Sequence, residues 1–267
     1  MLLQRILTAV VLLAVLSVVL LWLPRAAALI AIALIVLAGA WEWAGLARIE
    51  GRVRKSLYTA ACAVAMLLLW RLAELPGGFT WVMAVALAWW VLAFVWLTLA
   101  PGYGGPAQAA TAGLATLAPM WVAMERLYDH SGHGAALVVF AFMLIWAADI
   151  GAYFVGRRLG RYKLAPRVSP NKTWEGVLGG LVLGALVALA GQAWFGFDAA
   201  AFLPLCVAVI LVSVVGDLTE SLFKRQAGLK DSSSVLPGHG GVLDRIDSLT
   251  AALPVYALGL VWLGVLW

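Results

Sequence analysis

Between residues 217 and 247 the chain gathers five of its 13 carboxylates: Asp217, Glu220, Asp231, Asp244 and Asp247. Lys224, Arg225, Lys230, His239 and Arg245 are interleaved with them. Carboxylates hold hard cations and basic groups hold phosphate oxygens, so mixed charge at this density points to metal–phosphate chemistry. If a helix continues through the region, Asp217, Glu220, Ser221, Lys224 and Arg225 share one face. Asp244, Asp247 and Ser248 then open the next apolar run. The dipole at that helix start suits a carboxylate or a phosphate, and two Asp-bearing helix ends can converge on one Mg²⁺. The plainer alternative is that Asp244 merely caps its helix and Lys224 pairs with Glu220. In the intervening loop, Gly238, Gly240 and Gly241 let backbone N–H groups approach an anion. His239 stands among them to bond a phosphate or act as a general acid.

A second constellation begins at Asp149, inside an apolar run, where an ionisable group is a functional hypothesis by default. On a helix it shares a face with Tyr153, Gly156 and Arg157. The stretch that follows holds two prolines, Pro166 and Pro170, which break any helix. A basic anchor on anionic lipid accounts for Arg157 and Arg158. It does not account for Ser169, Asn171, Lys172 and Thr173, which resemble a phosphate or nucleotide cradle just before a helix N-terminus. Gly176, Gly180 and Gly184, spaced by four, read as helix packing. His130 and His133 read as a solvated loop. No Walker-type lysine loop is present, so any nucleotide is bound in another way.

These residues must be positioned by elements built for lipid. Of 267 residues, 64% are hydrophobic and 12% are charged, against roughly 45–50% and about 25% in soluble domains. That excludes a secreted globule, a disordered chain and a cytosolic enzyme. Cys62 and Cys206 lie in apolar runs, which excludes a disulfide framework. The net charge of +5 reflects membrane topology and anionic lipid rather than nucleic acid.

Nine runs approach the ~20 residues a bilayer crossing needs: 6–23, 26–46, 57–75, 79–99, 107–127, 134–155, 176–196, 201–221 and 249–267. The fifth is the weakest, being Gly- and Thr-rich. The first reads as a retained span and not a cleaved signal, because it feeds directly into the second. With nine spans and the N-terminus inside, fifteen of the 18 Lys and Arg fall on one side, leaving Arg25, Arg71 and Arg126 opposite. That asymmetry is the positive-inside pattern. The expectation is an all-α polytopic membrane protein with about nine transmembrane helices, N-terminus cytoplasmic and C-terminus outside. Residues 1–130 form nearly featureless scaffold spans. Residues 131–267 form the catalytic part, with cytoplasmic loops 156–175 and 222–248.

The stretch from Ser221 through Lys224-Arg225, Lys230-Asp231, His239-Gly240-Gly241 and Asp244-Arg245 to Asp247 closely resembles the signature of the phosphatidate cytidylyltransferases. Ser169-Pro170-Asn171-Lys172-Thr173 also resembles that family, so the likeness covers roughly residues 145–250. It implies that CTP and phosphatidic acid give CDP-diacylglycerol and pyrophosphate with Mg²⁺. It further implies a homodimer in the plasma (inner) membrane, in phospholipid biosynthesis, with the site facing the cytoplasm. On this reading Asp217, Asp244 and Asp247 hold metal, with Asp149 or Asp231 contributing, and a second, monovalent cation is left open. Lys172, Lys224, Arg225, Lys230 and Arg245 neutralise phosphates. Ser169, Asn171, Thr173, Ser221 and the backbone at Gly240 and Gly241 complete the substrate contacts. Two competitors use the same residues: a CTP-dependent lipid kinase, which releases CDP, and an ion or phosphate transporter. Transport predicts charge spread through the membrane depth, whereas here the carboxylates collect at one face.

Overall fold

The computed structural model describes residue 14 and residues 17–102, 104–236, 238 and 240–266. Among these, eight long helices and one hairpin follow in order: α1 (Arg25–Leu46), α2 (Arg52–Ala73), α3 (Gly78–Leu99), α4 (Pro106–Asp129), α5 (Gly134–Leu159), β1 (Lys163–Ala165), β2 (Ser169–Thr173), α6 (Trp174–Phe195), α7 (Ala199–Gln226) and α8 (Leu243–Trp262). The run expected over 6–23 lies for the most part outside the described residues. A 22-residue helix is about 33 Å long and matches a hydrocarbon core of roughly 30 Å. Six helices (α1, α2, α3, α5, α6 and α7) are long and apolar enough to cross a membrane. Their outer faces expose large apolar side chains, Leu68, Trp81 and Val182 among them, as a lipid-facing surface requires.

α4 and α8 are built differently. Fifteen of the 20 residues of α8 and fourteen of the 24 of α4 are buried, against four of 22 in α2. Both face protein on most sides, so Thr116, Ser248 and Thr250 sit where a lipid-facing helix would need leucine or valine. This is why the fifth run reads weakly in the sequence. The largest core cluster reaches from Val19 to Leu266 and includes residues of α1 and α8 alike.

Two helix pairs approach closely through glycine. A Cβ on Gly180 of α6 would stand 2.8 Å from the Ala148 carbonyl of α5, and one on Gly151 of α5 would stand 2.4 Å from the Gly179 carbonyl. Gly176 and Gly180 thus pack helices as expected, while Gly184 fits against Ile210 of α7. A Cβ on Gly216 of α7 would stand 2.7 Å from the Asp247 carbonyl of α8. Such contacts let backbones meet without the hydrophobic drive available in water.

Several boundaries differ from expectation. α2 starts at Arg52, directly after Gly51 in the left-handed region (φ 83°). α7 runs on through Gln226, and α8 begins at Leu243 instead of 249. The all-α architecture is as expected, with one addition in a connection: residues 163–173 form a short antiparallel hairpin, with Lys163 opposite Thr173 and Ala165 opposite Ser169. Pro166 and Pro170 forbid a helix, but a short edge ladder accommodates them. Val168 at the hairpin turn is buried against Leu218 and Leu222 of α7, which ties the hairpin to the helix bearing Asp217.

The connections after α1, α3, α5 and α7 meet at one end of the bundle. Arg48 donates to the Gln226 carbonyl, Gln226 to the Pro101 carbonyl (3.5 Å) and Arg225 to the Val168 carbonyl (3.4 Å). The opposite end is closed by Arg25 with Asp129 (2.7 Å), Arg126 on the Ala73 carbonyl (3.2 Å) and His130 on the Val265 carbonyl (2.9 Å). His130 is therefore a fastening of the C-terminal segment, where the sequence suggested a solvated loop.

Candidate active site

At the basic end, α5, the hairpin, α6 and α7 surround a cleft of about 640 Å³. Asp149 and Tyr153 come from α5, Asn171 and Lys172 from β2, and Asp217 from α7, while Val177, Ile210 and Val214 form an apolar wall. Asp149 is accessible along the cleft. Lys172 reaches across it to Asp217, Nζ to Oδ2 at 2.5 Å, with each side chain about a quarter exposed (26% for both). Ser221, one turn beyond Asp217, donates to its Oδ1 at 3.3 Å. Both constellations found in the sequence therefore converge here, through the hairpin docked on α7.

The close approach of α7 and α8 at Gly216 brings Asp247 behind this pair. Asp149, Asp217 and Asp247 lie within electrostatic reach of one another, with Lys172 and Arg245 beside them. Asp247 also contacts the carboxyl of Glu220. Glu220 is 1% exposed, and its Oε1 is buried without a hydrogen-bond donor. Two buried carboxyls in contact need a proton or a cation between them. Among the described residues no three acidic, histidine or cysteine side chains form a complete cation site by themselves. Further ligands would have to come from elsewhere.

The signature loop is organised around a different knot. Lys224 is buried and bonds Asp244 Oδ1 at 2.6 Å and Glu220 Oε2 at 3.0 Å. Asp244 Oδ2 accepts from the Ser232 amide (3.0 Å), the Ser232 hydroxyl (2.8 Å) and the Gly241 amide (2.7 Å). Both oxygens of Asp244 thus have protein donors, and the Gly241 N–H expected to meet a phosphate is taken by Asp244. The Gly240 carbonyl accepts from Leu236 (2.8 Å) across the loop. Gly240 has φ +79°, and a Cβ there would stand 2.5 Å from Asp244 Oδ2, so glycine is required on both counts.

Three other expected substrate contacts are engaged structurally. The Thr173 hydroxyl accepts from the Gly176 amide at 3.1 Å and caps α6. Arg225 donates to the Val168 and Leu229 carbonyls (3.4 and 3.3 Å), joining hairpin to loop. Ser169 pairs with Ala165 in the ladder. Lys230, Asp231 and Arg245 are exposed, and of these Arg245 lies within electrostatic reach of Asp149. His239 lies outside the described residues.

The sequence reading missed one residue outright. Glu42 of α1, in the half expected to be featureless, is 6% exposed and accepts four hydrogen bonds from the signature loop. The donors are the Ser232 and Ser233 hydroxyls (2.9 and 2.7 Å) and the Val242 and Leu243 amides (3.0 and 2.8 Å). The amides at the start of α8, where the dipole suits a carboxylate or a phosphate, are capped by this carboxylate. The missed signal was an ionisable residue within a membrane span, the same signal that singled out Asp149.

Residues 3–263 match the cytidylyltransferase family. A phosphatidate cytidylyltransferase of Pseudomonas aeruginosa is 46% identical over 269 residues, covering 98% of this chain and 97% of its own length. One from Haemophilus influenzae is 40% identical over 287 residues, with 96% and 98% covered. One from Staphylococcus saprophyticus is 42% identical over 150 residues, 55% of this chain and 58% of that protein. With its apolar helices, charged cleft and near-complete alignment to the first two relatives, the chain belongs to the cytidylyltransferase family and is a membrane enzyme of the nucleotidyltransferase type.

Proposed function

We propose that the protein converts CTP and phosphatidic acid to CDP-diacylglycerol and pyrophosphate at the α5–hairpin–α7 cleft. The carrying observation is a single cavity lined both by charged side chains, Asp149, Lys172 and Asp217, and by apolar ones, Val177, Ile210 and Val214. A phospholipid has both characters: its phosphate sits at the head-group plane and its chains stay in the membrane. In the reaction a phosphate oxygen of phosphatidate attacks the α-phosphorus of CTP. The new P–O bond forms as the bond to the β-phosphate oxygen breaks, and pyrophosphate leaves. Both reactants are anions, so catalysis is chiefly charge neutralisation and alignment.

The Lys172–Asp217 pair supports this assignment because each partner suits one component. Lys172 binds a phosphate oxygen when Asp217 is drawn to a cation. Exposed Lys230 and Arg245 add positive charge for the triphosphate. Asp217 and Asp247, with Asp149 nearby, would hold a Mg²⁺ ion. Mg²⁺ commonly takes one or two carboxylates and completes its shell with phosphates and water. When bound, the ion would offset the charge of the triphosphate and lipid phosphate. Asp244, with both oxygens engaged, serves this set by holding Lys224 and the loop. Asp231 and a monovalent cation remain outside the assignment.

The nine-span topology, N-terminus in and C-terminus out, is part of the same proposal. It is supported by the meeting of the basic connections at one bundle end, which the positive-inside rule makes cytoplasmic. CTP is then on the correct side of a plasma (inner) membrane. We also propose a homodimer, on the family resemblance alone. The deciding experiment supplies purified protein in detergent with labelled CTP, phosphatidate and Mg²⁺. Equimolar pyrophosphate and CDP-diacylglycerol are expected, while release of CDP would establish a lipid kinase instead.

A further inference from the structure

Glu42 is an expensive residue to keep where it is. It is buried in α1, and among the described residues its hydrogen-bond donors are all neutral: two serine hydroxyls and two backbone amides. Fixing the scaffold alone would be served by an apolar side chain, since a buried carboxylate needs full compensation. The compensation found is specific. Each carboxylate oxygen takes one hydroxyl and one amide: Oε1 from Ser233 and Val242, Oε2 from Ser232 and Leu243. The two amides open α8, so the positive end of its dipole adds to the bonds. A Cβ on Gly241 would stand 2.3 Å from Glu42 Oε2, so the loop is shaped to admit this carboxylate.

The bonds continue inward. The Ser232 hydroxyl lies between Glu42 Oε2 and Asp244 Oδ2, and its single proton is shared between them. Asp244 holds Lys224, which holds Glu220, which touches Asp247. We infer that Glu42 is a positioning residue for the transfer reaction: from α1 it clamps the loop 232–243 and the start of α8, and so sets where Asp247 and Lys224 stand relative to the cleft. The inference rests on the reaction proposed above. It makes the N-terminal helices part of the catalytic apparatus.

Glu42→Gln tests this sharply. Whichever way the amide turns, its NH₂ faces one of the two backbone N–H groups, so one cap bond is replaced by a donor–donor contact. The full chain in detergent is followed by hydrogen–deuterium exchange and steady-state kinetics. Exchange should rise in residues 232–243 while the peptides of α2, α3 and α6 stay unchanged. Because small misplacements of reacting groups carry large rate penalties, kcat should fall about 10- to 100-fold, with KM for phosphatidate nearly unchanged. Wild-type exchange in the loop, or kcat within about twofold, overturns the inference. So does a rise in exchange throughout the bundle with kcat per folded molecule intact, the mark of a merely structural role. If Glu42→Gln does not fold, Ser233→Ala decides: it removes one hydroxyl bond and should give the same local exchange with a severalfold lower kcat, and wild-type behaviour in both overturns the inference. Wild-type turnover is the separate control. Its absence would refute the proposed reaction, while the exchange pattern would still report whether Glu42 holds the loop.

Discussion

Two charged regions meet at the basic end of the bundle, and they differ in what their hydrogen bonds leave over. In the cleft, among the described residues, Lys172 and Asp217 bond each other and one neighbouring hydroxyl, each is 26% exposed, and they face about 640 Å³ of space. In the knot, Lys224 and Glu220 are 10% and 2% exposed, and Asp244 accepts four bonds. Both are built from lysine and carboxylates. The cleft can exchange its partners for a ligand at little cost, whereas the knot can give up nothing without stranding a buried charge. One region is built to act and the other to hold.

The largest effect should come from breaking the knot. Lys224→Met leaves Glu220 and Asp244 facing each other without a cation, and removing one member of a buried ion cluster costs about 3–5 kcal/mol. Thermal or denaturant unfolding in detergent should show it. Adding Glu220→Gln should restore part of the loss. An unchanged transition would mean that the knot is solvated and that the contrast drawn here is false.

Asp217→Asn should do the opposite, sparing stability and removing activity. The pair is half-buried but borders the open cleft, so its loss should cost about 1 kcal/mol, the upper end for solvated pairs, and unfolding should shift little. Turnover should drop by roughly 10²–10³, the scale of losing one electrostatic contact to a reacting centre. Pyrophosphate release measured on folded protein checks it, and activity within a few fold would move Asp217 from the acting group to the holding group.

How much of this division the sequence carries depends on distance along the chain. The signature residues of α7 and the start of α8 lie within 31 positions, and their helical phase already predicts that Asp217, Glu220, Ser221 and Lys224 share a face. The same spacing contains the alternative of a Lys224–Glu220 pair and an Asp244 cap; the structure adopts the pair, while Asp244 bonds Lys224, Ser232 and Gly241 and it is Glu42 that covers the first amides of α8. The hairpin is less legible. Pro166 and Pro170 exclude a helix, but β1 has three residues and depends on burying Val168 against α7, a contact that no local pattern announces. Glu42 is least legible, because its partners lie 190 to 201 residues away. Only the anomaly of a lone acid in an apolar run hints at it.

The smallest effect tests the border between the two regions. Thr173 lines the cleft, yet its hydroxyl oxygen is occupied by the Gly176 amide. As a helix cap, its loss in Thr173→Ala should cost about 1 kcal/mol, the usual scale for such a substitution. Thr173→Ser keeps the hydroxyl and should stay within a few tenths of that scale from wild type. Because Lys172 precedes it on the same strand, turnover should fall only modestly in the alanine variant and not at all in the serine one. Suppose instead that Thr173→Ala loses turnover tenfold or more without the unfolding shift. The hydroxyl would then be meeting substrate, its bond to Gly176 would be a resting arrangement like that between Lys172 and Asp217, and the acting region would extend one residue further into the start of α6.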